Sequence, residues 1–150
     1  MSEKIIATNK QARYNYTLFD AVEAGVELKG SEVKSLRLGY VSLNDSFARV
    51  EKDGIYLYNC HIVPYKYARE AQDPQRIKKL LLHKSEINKF AARLAQRGFT
   101  LVPVKIYFKR GMAKVEIALA KGKRLYDKRE AIKKRESSLE MRRAIHRKDN

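Results

Sequence analysis

The sequence predicts a mainly β protein with short helices, a small closed antiparallel sheet that carries a basic C-terminal tail. Three observations support this. Segments of alternating apolar and polar residues recur in pairs joined by short Gly-containing turns, as in hairpins. One stretch alone has a clear helical period. The last thirty residues, Lys121 to Asn150, hold twelve Lys or Arg against five Asp or Glu and few large apolar side chains. A packed core has no use for such a run. The 150 residues therefore divide into a domain over 1–120 and a tail over 121–150. A body of about 120 residues buries roughly two-thirds of its unfolded surface, so it needs no disulfide or metal.

Residues 1–11 are polar and expected to be loose as far as Asn9-Lys10. From Tyr14, the alternation of Tyr14, Tyr16 and Leu18 with Asn15 and Thr17 predicts a strand. Gly25 interrupts its continuation and marks a bulge or tight bend. Gly30-Ser31-Glu32 opens a short helix with Val33 and Leu36 on one face, and Gly39 closes it. Phe47 to Glu51 turns through Lys52-Asp53-Gly54 into Ile55 to Tyr58, a hairpin. Pro64 begins a loop that lasts through Asp73-Pro74.

After Ser85 the residues Ile87, Phe90, Ala91, Leu94 and Ala95 form a core-facing helical stripe. Lys84, Asn88, Lys89, Arg93 and Arg97 lie opposite, and Gly98 stops the helix. Leu101 to Phe108 then pairs with Ala113 to Ala120 across Lys109-Arg110-Gly111-Met112. Val115, Ile117 and Leu119 face one way, Lys114 and Glu116 the other. Pro103 requires an edge or a bulge in the first of these strands. Five or six strands in hairpins with one inserted amphipathic helix fit a partly open barrel of the OB type, an architecture that commonly binds oligonucleotides.

The formal charge of +16 is extreme for this length, and residues outside the tail carry 21 basic against 12 acidic side chains. Such a field draws in a polyanion with strong salt dependence, and RNA is the expected partner. No amphipathic helix with bulky aromatic anchors points to a membrane surface. No apolar stretch approaches the roughly eighteen residues of a spanning helix, and Met1-Ser2-Glu3-Lys4 does not begin a signal peptide. A cytoplasmic location is expected. Cys60 is the lone cysteine, and its alternating surroundings suit a small buried hydrophobe.

Catalytic signatures are absent: there is no phosphate-binding loop, dinucleotide fingerprint, His-Glu-x-x-His or Cys-x-x-Cys. His61, His83 and His146 lack metal-ligand spacing. Asp20, Glu23, Glu27 and Glu32 are close in sequence, as a metal-dependent ribonuclease would need. Glu27 and Glu32 are interleaved with Lys29 and Lys34, however, which suits surface pairing of little individual worth. The chain is read as a binding protein, with no catalytic residues, metal or cofactor.

Several segments coincide with one family. Leu28 to Arg37 (LKGSEVKSLR), Asp73-Pro74-Gln75-Arg76, Lys79-Leu80-Leu81-Leu82-His83-Lys84, and Ala120-Lys121-Gly122-Lys123 with Tyr126-Asp127-Lys128-Arg129 resemble small protein B, the tmRNA-binding (SsrA-binding) family. The match runs in order from about Asn9 into the tail. Each piece alone is weak; together they are specific. The resemblance implies an OB-fold body that binds the tRNA-like domain of tmRNA, chiefly at its D-loop region. It further implies delivery of alanyl-tmRNA to ribosomes stalled on messages without a stop codon, the protein standing in for the missing anticodon arm. Elongation factor Tu with GTP is the implied companion, and the GTPase chemistry belongs to that factor. A monomer is expected.

By the same resemblance Glu23, Leu81 and His83 lie at the tmRNA interface. A carboxylate facing a polyanion suits specificity, accepting from base or ribose donors; the alternative is an ordinary surface glutamate. Leu80, Leu81 and Leu82 cannot all face one core in an extended chain, so one is a candidate for apolar contact with an unstacked base. At His83 a contact is implied, not imidazole chemistry. Arg76, Lys78, Lys79, Lys34 and Arg37 are candidate phosphate contacts, with solvated surface as the even alternative. Asn9, Arg13 and Tyr16 fall in the N-terminal matching region and are weaker candidates of the same kind.

In the tail, Lys121, Gly122, Lys123 and Asp127 belong to the matching motif. Tyr126 resembles a stacking partner for a decoding-centre base, while Lys128, Arg129, Lys133, Lys134 and Arg135 would meet ribosomal RNA phosphates. The implied tail enters the empty mRNA channel and becomes helical there. Leu125, Ile132 and Leu139 would share one narrow stripe, too few for a coiled coil among so many like charges, so low helicity is expected when the tail is free. A ribosomal or general translation protein that uses its arm only as RNA glue is the competing reading.

Overall fold

The computed structural model describes residues 3–69 and 72–123. In chain order these form β1 (Lys4–Thr8), α1 (Lys10–Asn15), β2 (Tyr16–Val26), α2 (Gly30–Arg37), β3 (Val41–Ser42), β4 (Phe47–Glu51) and β5 (Gly54–Tyr58). There follow β6 (His61–Ile62), β7 (Lys78–Leu81), α3 (Lys84–Leu94), β8 (Phe99–Lys109) and β9 (Met112–Gly122). The main sheet runs β1-β8-β4-β5-β7-β2-β9, and β9 also pairs with β8, so it closes on itself. All its pairings are antiparallel. This is the mainly β architecture with short helices that the hairpin pattern predicts. Closure leaves few free edges to pair with other chains.

The interior is filled from alternate positions of the ring. Ile55, Leu57, Leu80, Leu101, Val115, Ile117 and Leu119 are buried, with Leu36 of α2 and Phe90 of α3 packed against them. Val115, Ile117 and Leu119 point inward together, as their spacing requires. The α3 stripe is narrower than predicted: Phe90 is buried, Ile87 and Leu94 are half-buried, and Ala91 and Ala95 are exposed. An alanine methyl gains too little from burial to hold a helix flat against the sheet.

Three boundaries differ from the sequence reading. Residues 4–8 are not loose but form β1, with Lys4 opposite Phe108 and Thr8 opposite Lys105. Asn9, a candidate RNA contact, is only 3 % exposed. Its Oδ1 accepts from Ala12 N–H at 3.1 Å and caps α1, its Nδ2 donates to the Pro103 carbonyl at 2.9 Å, and its own N–H donates to the Val104 carbonyl at 2.8 Å. Asn9 is therefore a structural residue. The helix it caps delays the start of β2 from Tyr14 to Tyr16.

The bulge in β2 falls between Phe19 and Val22, where Asp20 has a φ of 51°, and not at Gly25. Gly25 serves a close approach instead: it pairs with Leu81 on one edge and Lys114 on the other, and a Cβ there would stand 3.2 Å from the Leu81 Cβ. Of the edge or bulge expected at Pro103, the sheet has a bulge, between Pro103 and Lys105.

The third boundary is the tail's root. Lys121 and Gly122 are strand residues, paired with Thr17 and Tyr16, and Lys123 N–H donates to the Asn15 carbonyl at 3.0 Å. The sheet thus claims the first residues assigned to the tail. Tyr126, Asp127, Lys128, Arg129, Lys133, Lys134 and Arg135 lie outside the described residues.

Candidate nucleic-acid interface

Strand alternation decides which of the three consecutive leucines is displayed. Leu80 is buried, Leu82 is half-buried, and Leu81 between them is 47 % exposed. Leu81 stands on β7 beside Gly25 of β2, and the missing Cβ lets its side chain rest against the neighbouring backbone. A groove of about 640 Å³ opens here, lined by Glu23 from β2, Lys79 and Leu81 from β7, His83 at the N-cap of α3, and Lys114 from β9. A second, more apolar groove of about 270 Å³ shares Gly25, Leu81 and Lys114 and continues to Leu28, Phe108 and Met112. Leu81 is the ridge between them.

Glu23 is exposed but held. The Tyr107 hydroxyl donates to its Oε2 at 2.6 Å, and Lys109 Nζ lies 3.3 Å from the same oxygen. The Tyr107 hydrogen bond is the main cause that lowers the Glu23 pKa below 4.5; slight burial opposes it, and Lys109 and Lys114 add to the lowering. The carboxylate is ionised at neutral pH. Burial first, then the hydrogen bond to Glu23, pushes the Tyr107 hydroxyl far above its ordinary value, so it remains a donor. Glu23 also sits directly across from Glu116, and Lys105, 3.4 Å from Glu116, relieves that repulsion. One oxygen of Glu23 is engaged, and Oε1 has no protein partner among the described residues.

Tyr107 is therefore a positioning residue that the sequence reading missed, because nothing in its local pattern ties it to a carboxylate 84 positions away. Tyr107→Phe should leave the fold intact and raise the Glu23 pKa toward 4.5, read by carboxyl chemical shifts against pH. RNA affinity should drop about threefold to tenfold, the net scale of an ordinary hydrogen bond, because the carboxylate itself is retained. A Glu23 titration that does not move would show that the hydroxyl does not hold it.

Other candidates are distributed differently. Lys78 is a correction: it is fully buried and cannot reach a phosphate. Its ammonium donates to the Cys60 carbonyl at 2.9 Å and the Arg76 carbonyl at 2.8 Å, and burial is the chief cause lowering its pKa. Burial likewise pushes the Cys60 thiol up to about 11, consistent with the inert role expected of it. Arg76 is also committed to the fold, with Nη2 2.6 Å from Glu32 Oε1 and 3.2 Å from the Glu27 carbonyl. Glu32, expected on the surface, is only 4 % exposed.

Arg13 and Tyr16 line a separate groove of about 480 Å³ with Asp20 and Lys123. Lys34 lines a fourth, beside Tyr65. Arg37 is exposed, its guanidinium 5.8 Å from the Phe108 ring centre. Asp20 and Glu23, the pair a ribonuclease would use, line different grooves. Among the described residues no three His, Cys, Asp or Glu side chains are grouped to hold a metal, and no helix is long and apolar enough to cross a membrane.

The family model described as SmpB protein matches residues 6–147. The chain belongs to the SmpB family. It is 58 % identical over 143 residues to the SsrA-binding protein of Caldicellulosiruptor saccharolyticus, covering 95 % of this chain and 90 % of that one. It is 52 % identical over 146 residues to the SsrA-binding protein of Geobacter metallireducens, covering 97 % and 95 %. Among solved structures it is similar to a chain described as "tmRNA-SmpB: a journey to the center of the bacterial ribosome", with a TM-score of 0.67 and 48 % identity, covering 84 % of this chain and 93 % of that one. The SmpB match extends past Gly122, so the family likeness includes residues beyond the closed sheet.

Proposed function

We propose that the protein is the tmRNA-binding adaptor of trans-translation, which recognises the tRNA-like domain of tmRNA and brings it to stalled ribosomes. The observation that carries this is the convergence of Glu23, Lys79, Leu81 and His83 on one groove from three separate elements. Its relatives are SsrA-binding proteins, and SsrA is tmRNA. Lys79 and Lys114 offer positive charge to phosphates, and Leu81 offers an apolar edge to an unstacked base. Glu23 repels phosphate and so selects for ribose or base donors. Elongation factor Tu with GTP acts alongside through alanyl-tmRNA, in the cytoplasm, and the protein works as a monomer. The tail probes the empty mRNA channel.

Selectivity tests this reading. At near-physiological salt the full-length protein should bind the tRNA-like domain of tmRNA at least about a hundredfold more tightly than tRNA or unrelated RNA. Glu23→Ala should lose about tenfold to a hundredfold on that domain, the worth of a hydrogen bond to a charged group, and little on unrelated RNA. Equal affinity for every RNA would leave only the glue reading.

A further inference from the structure

The groove beside Lys34 shares no lining residue with the one at Glu23. It has a volume of about 560 Å³ and lies between α2 and the segment linking β6 to β7. Lys29, Lys34 and Arg69 line it with Tyr65 and Tyr67, and among the described residues no carboxylate does. Tyr67 is 74 % exposed, too much for a ring that packs the fold. The rings of Tyr65 and Tyr67 meet edge-on with centres 5.6 Å apart. Lys34 Nζ lies 5.5 Å from the Tyr65 ring centre, and Lys66 Nζ lies 5.7 Å from that of Tyr67.

The segment that carries these rings is tied at its neck. Ile62 N–H donates to the Pro74 carbonyl at 2.9 Å, Tyr65 N–H to Gln72 Oε1 at 3.0 Å, and Ala68 N–H to the Tyr65 carbonyl at 3.1 Å. The last bond closes a turn that spaces the two tyrosines, so little ordering remains for a ligand to impose. Accessible aromatic rings interleaved with cations, with no carboxylate among the described lining residues, match one class of ligand. Bases stack on the rings while the cations follow the phosphates.

We propose that Tyr65 and Tyr67, with Lys34 and Arg69, form a second RNA site that takes a single-stranded segment without base specificity. It goes beyond adaptor binding at Glu23 and stands or falls separately. A duplex is excluded by chemistry, since its bases are already stacked and offer the rings no face.

The test uses the full chain with fluorescein-labelled oligoadenylate at fixed near-physiological salt. Tyr67→Ala should weaken this strand about tenfold, while Tyr67→Phe keeps wild-type affinity because stacking needs the ring and not the hydroxyl. Arg69→Gln should flatten the salt dependence by about one phosphate contact. Because the basic tail also attracts the strand, proton NMR supplies a local readout: the Tyr65 and Tyr67 ring resonances should shift on adding oligoadenylate. Affinity for the tRNA-like domain of tmRNA should be unchanged by Tyr67→Ala.

Static ring resonances, or equal losses in Tyr67→Phe and Tyr67→Ala, would overturn the site. So would poly-glutamate shifting the rings as strongly as oligoadenylate does, which would indicate an acidic protein partner. If the wild-type chain ignores the tRNA-like domain yet shows the Tyr67 dependence, the adaptor reading fails and this site stands.

Discussion

A chain that ends before Tyr126 should bind the tRNA-like domain of tmRNA within about threefold of wild type and support no tagging of stalled ribosomes. The first half follows from the fold. The last described backbone bond of the sheet is Lys123 N–H to Asn15, so the cut falls beyond the final closure of β9. Every residue of the Glu23 groove is retained. The cut removes nine Lys or Arg and five Asp or Glu, a small part of the +16. Long-range attraction therefore weakens only slightly. The second half follows from the proposed work of the tail: without it nothing reports that the mRNA channel is vacant. Tagging in a reconstituted translation system and affinity by fluorescence anisotropy, measured on one preparation, separate the two. Persistent tagging by the shortened chain would remove the tail from the mechanism.

Glu32→Ala should cost the fold about 2–4 kcal/mol, since removing one partner of a buried ion pair strands the other and the 30 % exposure of the Arg76 side chain softens the loss. Glu32 does two jobs. Its Oε1 accepts from Lys29 N–H at 2.8 Å, capping α2, and the same carboxylate receives Arg76 through Nη2 at 2.6 Å and Nε at 3.2 Å. Burial is the largest influence on its pKa and raises it. The hydrogen bonds from Arg76 and Lys29 and the charge of Arg76 together outweigh burial, leaving it below 4.5. A carboxyl lowered in this way contributes stability that is complete above 4.5 and is lost as pH falls through the depressed value. Glu32→Gln should therefore flatten the acid limb of stability, and urea midpoints at neutral pH and at about pH 3 measure both effects. Equal midpoints for wild type and Glu32→Ala at neutral pH would show the pair to be inconsequential.

Much of this arrangement was legible in the chain. Period-two alternation located β4, β5, β8 and β9, and glycines placed the ends of α2 and the turns, because these features depend on neighbours in sequence. Alternation showed that Leu80, Leu81 and Leu82 cannot all face the core, and the resemblance pointed to Leu81 among them. What escaped depends on distant partners. The polarity of residues 4–8 hides a strand whose backbone bonds go to β8. Lys78 reads as surface until Cys60 and Arg76 are seen to place their carbonyls around its ammonium. Arg76 reads as a phosphate ligand until Glu32, 44 residues earlier, is found against it. The resemblance brought Glu23, Leu81 and His83 into view together, while Tyr107, which orients the first of them, required coordinates.

The ring of strands also shapes the protein's birth. β2 is complete at Val26, but its partners β7 and β9 begin only at Lys78 and Met112. At about 5–20 residues per second, a nascent chain spends several seconds with an adhesive ribbon whose hydrogen-bonding flanks are bare. Such late stitching of remote segments makes folding slow relative to helical proteins of this size. Clumping of unfinished polypeptides should therefore be most acute before the final hairpin emerges.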